Sequence, residues 1–143
     1  MRLAVFDTNV IVSAGLNRAG APARLVYEWV LTEKVNLVTC PSVIAEFIEV
    51  TSRQKFARNN FPPDWLDYLI EMSVELPDPA PWPLEVPDKK DAVFLALAKS
   101  SGAWLVTGNL RHFPRSGRGG VTAISPGEYL VKLGEGSREL GGG

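Results

Sequence analysis

The chain has 143 residues, of which 45% are hydrophobic and 22% charged, and its formal net charge at pH 7 is −1. This length fits one domain that buries a core without disulfides, and the composition excludes a largely disordered chain. The sequence contains no apolar run near the roughly 20 residues that span a bilayer, and its start lacks the pattern of a signal peptide. We therefore expect a cytoplasmic protein that does not contact a membrane.

Cysteine and histidine are too scarce for several kinds of site. Cys40 is the only cysteine and His112 the only histidine. This excludes an internal disulfide and a thiolate zinc cluster, and it leaves His112 as the single histidine on which a catalytic Ser-His or Cys-His pair could be built. We expect Cys40 to be a small buried residue and His112 a loop residue. The net charge does not predict nucleic-acid binding. Two local basic groups could do so, although both could be ordinary solvated surface: Arg53, Lys55 and Arg58, and Arg111, His112, Arg115 and Arg118.

The predicted elements alternate between strands and helices along the chain. Strands are predicted at Leu3–Phe6, Leu37–Thr39, Trp104–Val106 and Val121–Ile124, with a weaker candidate at Val74–Leu76. Helices are predicted at Pro22–Leu31, at Val43–Val50 after a Ser42 cap, at Trp65–Met72 after an Asp64 cap, and at Asp91–Ser100. This alternation implies right-handed crossovers and a parallel α/β sheet.

Two segments differ in composition from the rest. Five prolines lie between Pro77 and Pro87, which predicts an extended connector that is too short to be a domain boundary. The last ten residues, 134–143, contain five glycines and one apolar residue, and we expect no ordered element there. The predicted organisation is a single domain over residues 1–133 followed by a flexible glycine-rich tail over residues 134–143.

The first predicted strand ends in Asp7-Thr8-Asn9. Its run of four apolar residues is typical of a buried strand in a parallel sheet, and ligands bind just beyond the carboxyl ends of such strands. Asp7 would therefore lie at a binding site. The alternative is that Asp7 caps the helix that follows, with Thr8 or Asn9 sharing that task.

Two further acids lie on helices near apolar residues. Glu46 is at the border of the apolar face of its helix, although a solvent-facing position is equally compatible with the pattern. Asp91 lies within about 60° of Phe94, Leu95 and Ala98 around the helix axis. A buried, unpaired carboxylate costs several kcal/mol, whereas the helix dipole returns only about 0.3 to 1 kcal/mol. A bound cation would account for the difference.

Thr107-Gly108-Asn109 follows the fourth strand as Asp7 follows the first. Gly-Asn is also common in turns, but the Asn109 amide could bind a hard cation, and Thr107 could hydrogen-bond a neighbouring carboxylate. Asp88 is either a fourth acid or a cap for the Asp91 helix. Carboxylate and amide oxygens without Cys or His suit Mg²⁺ or Mn²⁺. The chemistry that follows is metal-assisted phosphodiester hydrolysis.

Four segments together resemble the PIN domain family, and especially its VapC-like branch, the toxin ribonucleases of toxin–antitoxin pairs. They are Val5–Asn9, the helix with Glu46, Pro87–Ala96 and Leu105–Pro114. The resemblance covers residues 1 to about 133. It implies a three-layer α/β/α sandwich with a five-stranded parallel sheet, a Mg²⁺ or Mn²⁺ site, and endonucleolytic cleavage of single-stranded or structured RNA.

The resemblance also implies roles for individual residues. Asp7, Glu46 and Asp91 match the first three acids of the family, whereas the fourth, commonly an Asp after Thr-Gly, is Asn109 here. We expect these four as catalytic residues and metal ligands, Asp88 as a further ligand, and Thr8, Asn9 and Thr107 in support. Because Asn109 keeps an oxygen but lacks a charge, a second metal should bind more weakly than the first. The implied partners are RNA, an antitoxin protein and a second copy of the chain. Trp29, Trp65 and Phe61 are candidate surface anchors, although they could instead fill the core, Trp29 above all.

Other families fit the sequence less well. A phosphatase of the haloacid dehalogenase type also begins with a strand that ends in Asp, but it needs a second Asp where Asn9 stands. The glycine motifs of dinucleotide-binding and P-loop folds do not occur. A rival from another class is a PIN-like domain that binds RNA or a protein without cleavage, and Asn109 is the feature that favours it.

Overall fold

The computed structural model describes residues 2–53 and 61–141. Its centre is a five-stranded sheet in which all the pairings are parallel and the strand order is β3-β2-β1-β4-β5. The strands are β1 (Arg2–Phe6), β2 (Val35–Thr39), β3 (Val74–Glu75), β4 (Trp104–Val106) and β5 (Ala123–Ile124). The five predicted strands are confirmed, although β3 ends one residue earlier and β5 begins two residues later than predicted.

The helices lie on both sides of this sheet, so the predicted three-layer α/β/α sandwich is confirmed. They are α1 (Thr8–Leu16), α2 (Ala21–Arg24) continuing into a π-helical turn (Leu25–Val30), α3 (Pro41–Thr51), α4 (Pro63–Met72), α5 (Ala92–Ser101) and α6 (Pro126–Gly141). Short 3₁₀ turns form at Lys89–Asp91, Leu110–His112 and Arg115–Gly117. None of the helices in residues 2–53 and 61–141 is long and apolar enough to cross a bilayer.

Burial explains the central position of β1. Ala4, Val5 and Phe6 are at most 1% exposed, and Ala4 pairs with Leu37 of β2 on one side and with Trp104 of β4 on the other. The chain leaves β1 toward β2 and β3, and later adds β4 and β5 on the opposite side. The strand order therefore reverses between β1 and β4, which is where open parallel sheets place their ligands.

The two predicted helix caps are wrong. Helix α3 has Cys40 as its N-cap and Pro41 in its first turn, and α4 likewise begins with Pro62 as the N-cap and Pro63 in the first turn. Ser42 and Asp64 therefore lie inside their helices. The physical reason is that proline at the first helical position has its φ already fixed for a helix and needs no N–H partner there.

Ser42 is bound by a distant residue instead. Its backbone N–H and its Oγ each donate a hydrogen bond of 2.8 Å to the carboxylate of Asp78. Asp78 belongs to the proline-rich connector, residues 76–88, which has neither helix nor strand, as the prolines predict. Cys40 is fully buried, as predicted.

Helix α6 continues past residue 133, to Gly141. The prediction of no ordered element in the glycine-rich tail is therefore wrong for residues 134–141. Tyr129 and Leu133 fix the first part of α6 in the core, where they are 4% and 2% exposed. Once a helix has been nucleated, each further residue adds a backbone hydrogen bond, so α6 extends into a sequence that would not begin a helix.

Candidate active site

The carboxyl ends of the central strands open into a cleft with a volume of about 280 Å³. Four acids line it together with two polar neighbours of Asp7: Asp7, Glu46, Asp88, Asp91, Thr8 and Asn9. The structure thus brings together most of the residues that the sequence predicts for the site. Thr107 and Asn109 are not among the described residues that line the cleft.

Asp7 is both a helix cap and a wall of the cleft. Its side chain is buried, Oδ1 accepts a hydrogen bond of 3.0 Å from the Val10 N–H, and Oδ2 accepts one from the Thr107 hydroxyl. Burial raises the pKa of Asp7, and the negative charge of Asp91 raises it further, while the two hydrogen bonds act in the opposite direction. Because the side chain of Asp7 is buried, its ionised carboxylate is poorly solvated where it is held.

Thr107 connects Asp7 to the loop after β4. Its hydroxyl donates a hydrogen bond to Asp7, which is the interaction with a neighbouring carboxylate that the sequence predicts for Thr107. The same hydroxyl accepts a hydrogen bond of 3.0 Å from the Asn109 N–H. Asn109 itself begins the 3₁₀ turn Leu110–His112. The backbone of Asn109 therefore has the turn role that was the alternative to metal binding, and its amide group lies outside the cleft lining.

Asp91 lies at the junction between its 3₁₀ turn and α5. Its side chain is 21% exposed, and its Oδ2 lies 3.1 Å from His112 Nδ1. Within residues 2–53 and 61–141 this oxygen is buried and makes no further hydrogen bond. Burial raises the pKa of Asp91, the charge of Asp88 adds to this, and His112 opposes it. Asp91 thus lines the cleft with a carboxylate whose Oδ2 is buried against His112.

Glu46 and Asp88 reach the cleft from two other elements. Glu46 is half-buried on α3, in agreement with its predicted place at the border of the apolar face. Asp88 is exposed, and its Oδ1 accepts a hydrogen bond of 2.9 Å from the Lys90 N–H, which makes it the cap of the 3₁₀ turn. As with Asp7, the same carboxylate caps a helical turn and faces the cleft.

The cleft also contains three basic residues that were not predicted to belong to it: Arg53, Lys90 and His112. Arg53 lies two residues beyond the end of α3 and pairs with Glu49 of that helix at 3.1 Å. Lys90 directly precedes Asp91. The prediction of His112 as a mere loop residue missed its contact with Asp91, because no local pattern indicates a contact across 21 residues of sequence.

The chemistry of these side chains fits a hard cation. The acidic oxygen atoms suit Mg²⁺ or Mn²⁺, and Mg²⁺ commonly binds through only one or two carboxylates while it keeps several waters. In the part of the chain that the structure describes, no three His, Cys, Asp or Glu side chains are close enough to hold one ion together. The arrangement therefore fits an ion held by one or two carboxylates rather than a closed cage.

Comparison with known proteins identifies the family of the chain. The sequence matches the family model described as PIN domain over residues 3–111. The chain belongs to the PIN domain family. The match includes Asp7, Glu46, Asp88, Asp91 and Asn109, so all the acids of the candidate site of this PIN domain lie inside the matched region, whereas His112 lies one residue beyond it. A comparison with curated proteins finds no significant match.

Several solved structures share the fold of this PIN domain. VapBC2 from Rickettsia felis, bound to a DNA fragment from its promoter, aligns with a TM-score of 0.61 at 19% identity, covering 86% of this chain and 98% of that one. DNA-bound VapBC from Salmonella typhimurium gives 0.61 at 18% identity, covering 88% and 99%. FitAcB from Neisseria gonorrhoeae gives 0.59 at 19% identity, covering 86% and 97%. At these identities the similarity shows the fold.

Proposed function

We propose that this PIN domain is a divalent-metal-dependent endoribonuclease that cleaves single-stranded or structured RNA, and that it is the toxin of a toxin–antitoxin pair. The main supporting observation is the cleft beyond β1 and β4, which four carboxylates line. Family membership and the shared fold of the VapBC and FitAcB structures add support.

Asp7, Glu46 and Asp91 are the proposed catalytic metal ligands, and Asp88 is a further acid of the same cleft. Bound Mg²⁺ or Mn²⁺ supplies a water of lowered pKa and neutralises charge on the phosphoryl group. Thr107 and the Val10 N–H hold the Asp7 carboxylate in one orientation. Thr8 and Asn9 support this wall of the cleft, and Asn109 contributes through its link to Thr107.

Arg53 and Lys90 are proposed to counter the repulsion between the acids and RNA. Both line the cleft and both are exposed, so each can approach a phosphate group without loss of a buried contact. Such phosphate contacts place a nucleic-acid backbone without reading its sequence. They supply the local positive charge that the overall charge of −1 does not indicate.

An antitoxin protein and a second copy of the chain are the proposed partners, in the cytoplasm. The support is the shared fold of the VapBC structures from Rickettsia felis and Salmonella typhimurium, both bound to DNA. A nuclease of this kind must be held inactive, and a partner that covers the acid cleft would achieve this.

The proposal is tested by incubating purified protein with end-labelled single-stranded and hairpin RNAs over a Mn²⁺ and Mg²⁺ titration. We expect cleavage that chelator abolishes and that Asp91→Asn lowers by at least about 100-fold, since it removes a metal ligand. Asp67→Asn is the matched control, because Asp67 is an exposed acid of α4 outside the cleft. Equal loss in both variants, or cleavage in chelator, contradicts the proposal.

The second candidate function is a PIN domain that binds RNA or a protein without cleavage. Two observations favour it: Asn109 replaces an expected acid, and no group of three potential ligands is gathered within the described residues. The same assay separates the two functions. RNA binding without cleavage, at every metal concentration and with each RNA, identifies the binding domain.

A further inference from the structure

A second and larger cavity lies beside the acid cleft. It is a groove of about 590 Å³ between the proline-rich connector and α5. Its walls include Pro81, Trp82, Pro83, Ala92, Val93 and Ala96, and Lys89 lies at its border. The groove thus combines an aromatic ring, a mostly apolar surface and one exposed cation.

The groove and the acid cleft are lined by adjacent residues of the chain. Asp88, Lys90 and Asp91 line the cleft, whereas Lys89, between them in sequence, lines the groove. Consecutive Cα atoms are about 3.8 Å apart, so these four residues span at most about 11 Å. The phosphates of one strand of a nucleic-acid helix rise by about 3.4 Å per nucleotide along the helix axis. A strand in the cleft therefore has a neighbouring nucleotide within reach of the groove.

Trp82 is held in place along one edge of its ring. Its Nε1 donates a hydrogen bond of 2.8 Å to the Gly117 carbonyl. The benzo edge packs on Gly119, where a Cβ atom would lie 2.8 Å from the ring and the backbone has a φ of 56°. The side chain is half-buried. A ring that is already fixed loses little conformational freedom on binding, which favours stacking of a ligand against it.

The charged and apolar side chains of the groove indicate which parts of a nucleotide it can accept. Lys89 is exposed next to the acid cleft and attracts a phosphate. Glu85, which also lines the groove, repels one. Trp82 and the prolines offer an apolar surface on which a base can stack regardless of its identity. A nucleotide with its phosphate near Lys89 and its base on Trp82 fits both the charge and the apolar surface of the groove.

Resting on the proposed function, we propose that this groove binds one unpaired nucleotide of the RNA next to the cleaved bond. The base stacks on Trp82 and the phosphate lies near Lys89. The RNA substrate must therefore be unpaired at the nucleotide that occupies the groove, because a base inside a duplex is stacked between its neighbours and is not free to stack on a protein ring. The preference for unpaired RNA then comes from the groove, whereas the cleavage chemistry belongs to the acids.

Binding can be measured separately from cleavage. The probe is a fluorescein-labelled ten-nucleotide single-stranded RNA, followed by anisotropy in chelator with the full chain. We expect Trp82→Ala and Lys89→Ala each to weaken binding by about 5-fold or more, in the range of a lost base stack or phosphate contact. Trp104→Ala and Lys132→Ala are matched controls, because this Trp-Lys pair lines a depression at the opposite ends of the strands. The controls should change binding by less than about 2-fold.

Two further measurements keep the test decisive if Trp82→Ala does not fold. Lys89→Glu with the control Lys132→Glu changes exposed residues only and should give the larger loss at Lys89. In addition, the tryptophan emission of Trp82 is the difference between the emission of the wild type and that of Trp82→Phe. Binding of RNA should quench this difference.

The outcomes distinguish this inference from the proposed function. Wild-type binding that the groove variants do not weaken more than their controls overturns the groove site and leaves the nuclease intact. Quenching of Trp82 by a partner protein but not by RNA also overturns it, because the groove then binds protein. A wild-type chain that neither binds nor cleaves RNA overturns both.

Discussion

Asp7 combines two tasks that sequence analysis treats as alternatives. Its carboxylate caps α1 through the Val10 N–H, and the same group lines the acid cleft. The cap requires an oxygen acceptor but not a negative charge, whereas a metal site requires the charge. Substitutions that remove only one of these properties can therefore separate the two tasks.

Asp7→Asn should stabilise the metal-free protein at neutral pH and abolish metal-dependent cleavage. Burial raises the pKa of Asp7, so its contribution to stability is fully present below the unfolded pKa of about 3.9 and is lost as the pH rises through the folded pKa. Melting curves in chelator at pH 7 should show a higher Tm for Asp7→Asn, and the difference should disappear below about pH 4.

Mn²⁺ and Asp7→Ala supply the controls for that prediction. A saturating concentration near 100 times Kd stabilises the wild type by about 2.7 kcal/mol, and it should shift the Asn variant much less. Asp7→Ala lacks the cap as well and should lose about 0.5 to 2 kcal/mol. A destabilised Asn variant with an unchanged Mn²⁺ shift would show that Asp7 is only a structural cap.

Asn109→Asp should lower the Mg²⁺ concentration needed for half-maximal cleavage. Asn109 is linked to Asp7 through Thr107, so an added carboxylate increases the negative charge beside the first metal ligand. A several-fold decrease is expected, as for a group just outside the ligand shell. Asp88→Asn, which removes a charge from the cleft, should raise the requirement. An unchanged value for Asn109→Asp would indicate that this residue has only its turn role.

At the level of secondary structure, periodicity was sufficient for the strands but not for the ends of the helices. The apolar runs of β1, β2 and β4 are buried on both sides, so composition alone identifies them. Periodicity does not predict helix α1, whose Val10, Ile11 and Val12 are β-branched and favour strands. Its capping and its packing against the core override that preference.

In the candidate site, too, local sequence patterns indicate some residues and not others. Asp7, Glu46 and Asp91 reach the cleft from positions that strand ends and helix faces indicate in the sequence. The contact of His112 with Asp91 and the position of Arg53 in the cleft depend on how separate elements pack. No local pattern contains that information. The place of Asn109 outside the cleft lining likewise depends on the path of the loop after β4.

Two glycine substitutions test the helices directly. Gly15→Ala should destabilise the protein by about 1 to 3 kcal/mol, because a Cβ atom on α1 would overlap the ring of Phe61.

Gly134→Ala should stabilise the protein by up to about 1 kcal/mol, because nothing in the described chain lies within 4 Å of that Cβ position and alanine favours a helix. Urea unfolding measures both. Without stabilisation by Gly134→Ala, α6 does not persist in solution beyond residue 133.

For the whole molecule, the structure changes which side chains can serve as surface anchors. Phe61 is 7% exposed and belongs to the core, so its prediction as a surface anchor is wrong. Trp29 and Trp65 pack against the core and are only half-buried. Helix amphipathicity predicts which side a residue is on, but not how far neighbouring elements cover it.

We expect the chain to associate with a second copy or with an antitoxin protein that blocks its cleft. Light scattering of the purified chain should give twice the monomer mass, and a copurified partner should abolish RNA cleavage until it is removed. The physical reason is that a nuclease with an open acid cleft must be restrained in the cell that makes it. A monomer at high concentration, with no protein that inhibits it, contradicts this prediction.

The proline-rich connector should also resist cleavage by proteases. It is tied to the start of α3 through Asp78 and to the loop before β5 through Trp82, and its five prolines keep the backbone stiff between these ties. A protease must draw an extended, mobile segment into its active site. Although most of its residues are exposed, this segment should therefore resist nicking, and the wall that it forms beside α5 should survive treatments that trim ordinary loops of equal length.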